Sequence, residues 1–165
     1  MNRTHPLRPT LVRAAACTAL LAPLGLAAAQ PASAATVPQM QAEVTRLVNI
    51  QRAKVGCKAL RVDARLQRAA TLHSQDMRAK NYFSHTSKDG RSPWTRIRAQ
   101  GYQYGSAENI AAGQRTASAV VSAWMKSTGH RKNILNCANK AVGVGVSRGG
   151  TNAYYIYWTQ DFGTR

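Results

Sequence analysis

The residues best suited to chemistry are three histidines and a glutamate: His73, His85, Glu108 and His130. Imidazole nitrogens with one carboxylate are a common zinc ligand set, because histidine is mostly neutral near pH 7 and a carboxylate offsets the metal's charge. The separations, 23 residues from His85 to Glu108 and 22 more to His130, match no local metal motif. Structural alternatives stay open: a buried, hydrogen-bonded histidine at 73, loop or helix-end residues at 85 and 130, and a turn stabiliser at 108.

One serine lies in a G-x-S-x-G string, Gly145 to Gly149, which in some hydrolases carries the nucleophile. That motif needs a strand, a sharp turn and a helix, with the acid and the histidine later in the chain. Here a Gly-rich turn and a second predicted strand follow, and no histidine comes after Ser147. The string therefore predicts no serine nucleophile.

The N-terminal 34 residues have the features of a signal peptide. Arginines at 3, 8 and 13 precede an apolar run over 14–29, and Ala32-Ser33-Ala34 fits signal peptidase, with 27–29 as a less favoured cleavage site. The run is short for a membrane span, and no later segment could cross a membrane. We expect a secreted, extracellular protein with a short tail over 35–40 and one domain over 41–165.

Two of the three cysteines, Cys57 and Cys137, lie beyond the predicted signal peptide. An even pair in an exported protein predicts a disulfide, and free buried thiols are the alternative. A loop of roughly 80 residues gives an upper limit of about 4.5 kcal/mol for the stabilisation. Cys17 precedes several leucines of the apolar run instead of following it, which disfavours a lipid anchor.

The charge balance is strongly basic, with 23 Lys plus Arg against 6 Asp plus Glu and a net charge of +17. Removal of the three signal-peptide arginines leaves about +14, a field that attracts polyanions. No helix-turn-helix, zinc-finger or RNP pattern accompanies the charge, so we expect no nucleic-acid partner. Anionic cell-wall polymer or lipid is favoured, and the alternative is a basic surface that only keeps the protein soluble.

Periodicity and capping residues predict helices before strands. Helices are expected over 41–54, over 64–80 after an Asp63 N-cap, from Ser92-Pro93 with Trp94 and Ile97 inward, and from Thr116 to Gly129. A loop over 82–90 carries His85, and a short extended piece follows over 108–113. Alternating residues then indicate two strands over 142–146 and 155–160, joined by a turn at 148–152. This order predicts an α+β domain with a mainly antiparallel sheet.

Six segments in order resemble the motifs of bacterial secreted CAP domains (cysteine-rich secretory proteins, antigen 5, pathogenesis-related 1): 72–77, 83–85, 107–110, 124–135, 142–146 and 157–162. They extend over nearly the whole chain after residue 34. The resemblance implies an α-β-α sandwich with a central cleft. In the wider family, two histidines and two acidic residues line that cleft and sometimes hold zinc or another divalent cation.

The match to this tetrad is partial. His85 corresponds to the first histidine and Glu108 to the first acid, but Ser127 and Tyr157 stand where many members have the second acid and second histidine. His130 is a candidate for the vacant place. We therefore expect His85, Glu108 and His130 to form the cleft or metal site, with His73, Ser127 and Tyr157 as secondary cleft or structural residues.

The resemblance leaves three functional interpretations. The main one is a non-enzymatic module that binds anionic cell-wall polymer, lipid or sterol at the cell envelope or outside the cell, with a divalent metal in its cleft. The alternative is a metal-dependent hydrolase, with His85 and His130 as ligands and Glu108 as ligand or general base. No nucleophile or oxyanion donor can be named for it. A cationic membrane-active protein is disfavoured because the apolar residues are committed to a core.

Overall fold

Residues 34–165, together with Met1 and Asn2, are the part of the chain that the computed structural model describes. The predicted signal peptide and Cys17 lie almost wholly outside it. Ala34–Arg165 form one unit, whose elements are α1 (Val37–Ala53), β1 (Arg61–Val62), α2 (Ala64–Ala79), α3 (Pro93–Ala99), β2 (Gly105–Ala112), α4 (Ala117–Lys126), α5 (Thr128–Ile134), β3 (Ala141–Arg148) and β4 (Ile156–Gly163). Within this part, no helix is long and apolar enough to cross a membrane.

The four strands form one sheet in the order β1-β3-β4-β2. The β3–β4 and β4–β2 pairs are antiparallel, and only the two-residue β1 runs parallel to its neighbour. Helices pack on both faces, with α2 on one face and α1 and α4 on the other. The α+β class and the mainly antiparallel sheet are thus as predicted.

Valine and glycine alternate along β3, and this alternation explains how helices pack on the two faces of the sheet. Val142, Val144 and Val146 belong to the main apolar core, which includes buried residues of α1 and α4. A Cβ atom at Gly143 or Gly145 would overlap the backbone of α2. Helix α2 therefore rests directly on the strand, and larger side chains at these two positions have no room.

Helix ends follow the capping residues. Asp63, Ser92 and Thr116 each accept a backbone N–H of the helix that follows, as expected. The first helix begins at Val37, four residues earlier than predicted, because Thr36 and Gln39 form a capping box. Residues 37–40 are therefore its first turn and not a tail.

Two further predictions about helices are wrong. The fourth predicted helix does not continue to Gly129: it ends at Lys126, and Ser127 adopts an extended conformation before α5 begins. In α3, Ile97 is buried as predicted, but Trp94 is exposed and Arg96 is buried in its place. The first difference places His130 on a separate short helix, α5. The second places a buried arginine in contact with His85 and Glu108.

A disulfide joins Cys57 and Cys137, whose Cα atoms are 5.0 Å apart, as predicted. Beside it the fully buried Arg52 of α1 donates to four backbone oxygens, those of Lys58, Ile134, Asn136 and Asn139. The guanidinium thus provides partners for carbonyls at and after the end of α5 and for one carbonyl after α1. Together these groups fasten the end of α5 to α1.

Candidate functional site

The centre of the site is the carboxylate of Glu108 on β2, whose side chain is only 2% exposed. Arg96 Nη2 donates to Oε2 at 2.6 Å, and His85 Nδ1 contacts Oε1 at 2.7 Å. Burial by itself would raise the pKa of Glu108, but the hydrogen bond with His85 and the positive charge of Arg96 outweigh it and lower the pKa. Glu108 is therefore ionised and has a partner on each oxygen.

Arg96 positions the loop that carries His85. Its Nη1 donates to the backbone oxygens of His85 and Arg91 and to the hydroxyl of Ser87, at 2.8, 3.0 and 3.2 Å. One buried guanidinium thus connects α3, β2 and the loop before α3. Sequence reasoning missed Arg96, because an arginine beside a buried isoleucine on a short helix carries no local signal that it faces inward.

His85 is the accessible member of the group, with a side chain that is 50% exposed. Because Glu108 is ionised, Nδ1 carries the hydrogen and donates it to Oε1. In this tautomer the lone pair of Nε2 faces away from Glu108, where it can accept a hydrogen bond, act as a general base or bind a metal. Glu108 lies behind the imidazole and fixes its tautomer.

A second buried carboxyl group, Asp161, lies opposite Glu108 in the β2–β4 pairing. Burial and then the negative charge of Glu108 raise the pKa of Asp161 well above its usual value. Asp161 therefore remains protonated beside the ionised Glu108. Sequence reasoning gave it no role, although an acidic residue in a strand whose residues are all buried is unusual.

His73 supports the site from α2. Its Nε2 lies 2.9 Å from the backbone oxygen of Ser84, while its Nδ1 is buried with no partner among the described residues. Burial and then the charge of Arg96 lower the pKa of His73 to about 4. His73 is thus neutral at pH 7 and holds the start of the His85 loop.

His130 lies on α5, and its side chain is partly buried. Burial, and then the electrostatic effect of His85, lower the pKa of His130. Amide side chains set the place of α5: Asn109 donates to the backbone oxygen of His130 and to Gln160, and Asn133 donates to Asn109. Sequence reasoning missed this network because its members come from three separate elements.

A groove of about 280 Å³ opens beside His130. We call it the α4–α5 groove; it is lined by Phe83, Ile110, Ala111, Ala112, Gln114, Ala123, Trp124, Ser127, His130 and Tyr154. Tyr157 lies outside this set and is buried, with its hydroxyl unpaired among the described residues. Its ring stands edge-on to that of Tyr154, with the centroids 5.9 Å apart.

The predicted set of zinc ligands does not fit the site as a whole. Both oxygens of Glu108 are engaged, and a guanidinium 2.6 Å from Oε2 repels a cation there. Over residues 34–165, no three His, Cys, Asp or Glu side chains are grouped closely enough to hold a metal ion. His85 and His130 are the remaining candidate ligands, and zinc binding stays a prediction.

Two curated bacterial proteins are similar in sequence. The Uncharacterized protein YkwD of Bacillus subtilis (strain 168) is 44% identical over 128 residues, which are 77% of this chain and 48% of that protein. The Uncharacterized membrane protein YlbC of the same strain is 37% identical over 121 residues, 73% of this chain and 33% of that protein. The chain therefore spans less than half the length of either relative.

Solved structures share the fold. An extracellular protein containing a SCP domain from Bacillus anthracis str. Ames has a TM-score of 0.69 and 30% identity, over 78% of this chain and 43% of that one. A cysteine-rich secretory protein from Staphylococcus aureus subsp. aureus Mu50 has a TM-score of 0.64, over 82% and 40%, and at 18% identity shows the fold alone. The profile of the Cysteine-rich secretory protein family, CAP, matches residues 45–162. Because this profile covers more than half of the chain, this chain belongs to the CAP family.

Proposed function

We propose that this CAP domain is a non-enzymatic module that binds a ligand at the cell envelope or outside the cell, through the cleft around His85, Glu108 and His130. An extracellular location is supported by the extracellular structural neighbour and by the N-terminal sequence pattern.

The observation that carries the proposal is the fixed pair of His85 and Glu108. A buried ion pair contributes little net stability compared with apolar residues of the same size. The fold nevertheless buries Glu108 behind a half-exposed imidazole and fixes the loop with Arg96. This arrangement presents one oriented nitrogen at the surface, which suits recognition of a ligand donor.

The charge distribution favours an anionic envelope component as the partner. Five of the six acidic residues form ion pairs, and the sixth, Asp161, is buried: the pairs are Glu43–Arg46, Asp63–Arg65, Asp76–Lys80, Asp89–Arg91 and Glu108–Arg96. The excess of Lys and Arg therefore dominates the outer field. Anionic cell-wall polymer or lipid is the expected partner, and sterol is the neutral alternative.

Co-sedimentation with purified cell-wall material and with anionic or sterol-containing vesicles tests the proposal. We expect retention on wall material or anionic vesicles that weakens as salt increases, because opposite charges are screened beyond about 10 Å at 0.1 M ionic strength. His85→Ala should reduce retention, whereas Gln103→Ala, at an exposed and uncharged side chain, serves as the control. Absence of retention on every material would refute the proposal.

A second candidate function is a hydrolase, favoured by the hydrogen bond between His85 and Glu108, which leaves Nε2 free to act as a base. The metal-dependent form has to rely on His85 and His130, since Glu108 is engaged. Metal analysis of purified protein, followed by zinc calorimetry on His85→Ala and His130→Ala, tests the predicted divalent ion. Zinc affinity that is equal in both variants and the wild type would remove this site.

A further inference from the structure

The α4–α5 groove has a chemical character different from that of the rest of the surface. Of its ten lining residues none is Lys, Arg, Asp or Glu, although the chain has 23 basic residues. A phosphate or carboxylate inside the groove would meet no fixed cation. Its occupant should therefore be uncharged, in contrast to the polyanion that the outer surface attracts.

Exposed aromatic rings form one side of the groove. Phe83 and Tyr154 are 45% and 47% exposed, and their ring centroids are 6.0 Å apart with a tilt of 55°. Tyr154 is fixed from behind by the buried Tyr157. Exposed aromatic residues grouped beside a groove indicate a contact surface. An aromatic face can pack against the C–H groups on the face of a saturated ring.

Polar groups in the groove lack partners. Gln114 Oε1 is buried with no hydrogen-bond partner among the described residues, and an acceptor left unpaired in this way destabilises the fold. The hydroxyl of Ser127 makes no capping bond to α5, although it precedes that helix. An O–H or N–H donor on a ligand can pair with Ser127 in the groove, and also with Gln114 Oε1 once that side chain turns toward the groove.

From these observations we infer that the α4–α5 groove binds an uncharged sugar ring, such as an N-acetylhexosamine unit in the glycan strand of a wall polymer. This rests on the proposed function, because it names a ligand class for a groove that shares His130 with the proposed site. The ring lies against Phe83 and Tyr154, its hydroxyl or amide N–H donates to Gln114, and its far edge reaches His130. A volume of about 280 Å³ suits one or two sugar units.

A lipid chain fits less well. The groove places an unpaired amide oxygen and a hydroxyl among its apolar residues, and an acyl chain could satisfy neither group. A sugar ring offers apolar faces and polar edges together. The outer cations can then attract the anionic polymer while the groove holds its neutral ring.

The test is calorimetric or NMR titration of the purified protein with a soluble N-acetylglucosamine oligomer, at low and high salt. We expect binding that salt does not change. Phe83→Ala and Tyr154→Ala should each weaken it about fivefold, since an aromatic contact of about 1 kcal/mol corresponds to that factor. Tyr104→Ala is the matched control, because Tyr104 is 43% exposed and packs edge-on against Tyr102 outside the groove.

Gln114→Met separates a binding role from a structural one. It removes the unpaired acceptor while keeping the side chain's length, so we expect weaker sugar binding without a lower melting temperature. Oligomer binding that is equal in the wild type and in the Phe83, Tyr154 and Gln114 variants would overturn the assignment to this groove.

The two proposals fail in different ways. If the oligomer does not bind but the protein still sediments with wall material in a salt-dependent manner, the sugar inference is overturned and the envelope-binding function stands. If neither the oligomer nor any envelope material binds, both proposals are refuted. Oligomer binding that weakens strongly with salt would also contradict a neutral ligand in an uncharged groove.

Discussion

Replacement of Arg96 by methionine should be the most damaging single change near the site. The substitution keeps much of the apolar stem and removes the four hydrogen bonds that the guanidinium makes to Glu108, His85, Ser87 and Arg91. The carboxylate of Glu108 then remains buried with no cationic partner. Loss of one member of a buried pair typically costs about 3–5 kcal/mol.

That loss corresponds to a decrease of roughly 10 °C or more in melting temperature for a domain of this size. Urea denaturation at pH 7, with the disulfide intact, measures the loss in free energy of unfolding. The fluorescence of the buried Trp124 and Trp158 reports the transition. The control is Arg91→Met, which removes an exposed pair with Asp89 in the same loop and should leave the midpoint close to that of the wild type.

The double variant Arg96→Met/Glu108→Met separates the cost of the unpaired buried charge from the cost of altered packing. If the cost of Arg96→Met comes from the unpaired carboxylate, removal of Glu108 as well should recover a large part of the stability, because no buried charge is then left. Additive losses in the double variant, or a single Arg96→Met variant within 1 kcal/mol of the wild type, would refute the reasoning.

Three further predictions concern packing and pH. Gly143→Ala should unfold the domain or destabilise it by several kcal/mol, since its Cβ overlaps the backbone of α2, whereas Gly129→Ala, with open space on α5, should stabilise it by about 0.5–1 kcal/mol in thermal melts. Asp161→Asn should raise stability at pH 7. The folded state keeps the proton of Asp161, whereas the unfolded chain loses it near pH 3.8. The free energy of unfolding of the wild type therefore falls by up to about 1.4 kcal/mol for each pH unit above 3.8, and the variant lacks this loss. His73→Gln should make the free energy of unfolding depend less on pH at acid pH. The pKa of His73 is about 4 when folded and 6.5 when unfolded, so the wild type loses up to about 3 kcal/mol as pH falls between these values; an unchanged slope in urea titrations would contradict this.

The sequence by itself determined features whose causes lie within a few residues. Asp63, Ser92 and Thr116 cap helices because a side-chain oxygen reaches a backbone N–H two or three positions ahead. The alternation of valine and glycine in β3 likewise predicts a strand, because successive residues face opposite sides of a sheet. Cys57 and Cys137 could be paired because no other cysteine lies beyond residue 34.

The site was predictable only in part. His85 and Glu108 came from the family motifs, and the structure places them in direct contact. The motifs did not show that Glu108 lies behind His85, which is why it was expected as a direct metal ligand. The break at Ser127, which separates α5 from α4 and sets the place of His130, was also missed, because no proline or capping bond marks it in the sequence.

Tertiary structure alone decided which charges meet. Arg96 and Glu108 are 12 residues apart, and Asp161 comes from a strand at the far end of the chain, so no local period or cap relates them. Their protonation follows from burial and mutual distance. The hydrogen bond with His85 and the charge of Arg96 keep Glu108 ionised, and burial together with the charge of Glu108 keeps Asp161 protonated. Such couplings depend on positions in space, which the order of residues specifies only through the completed fold.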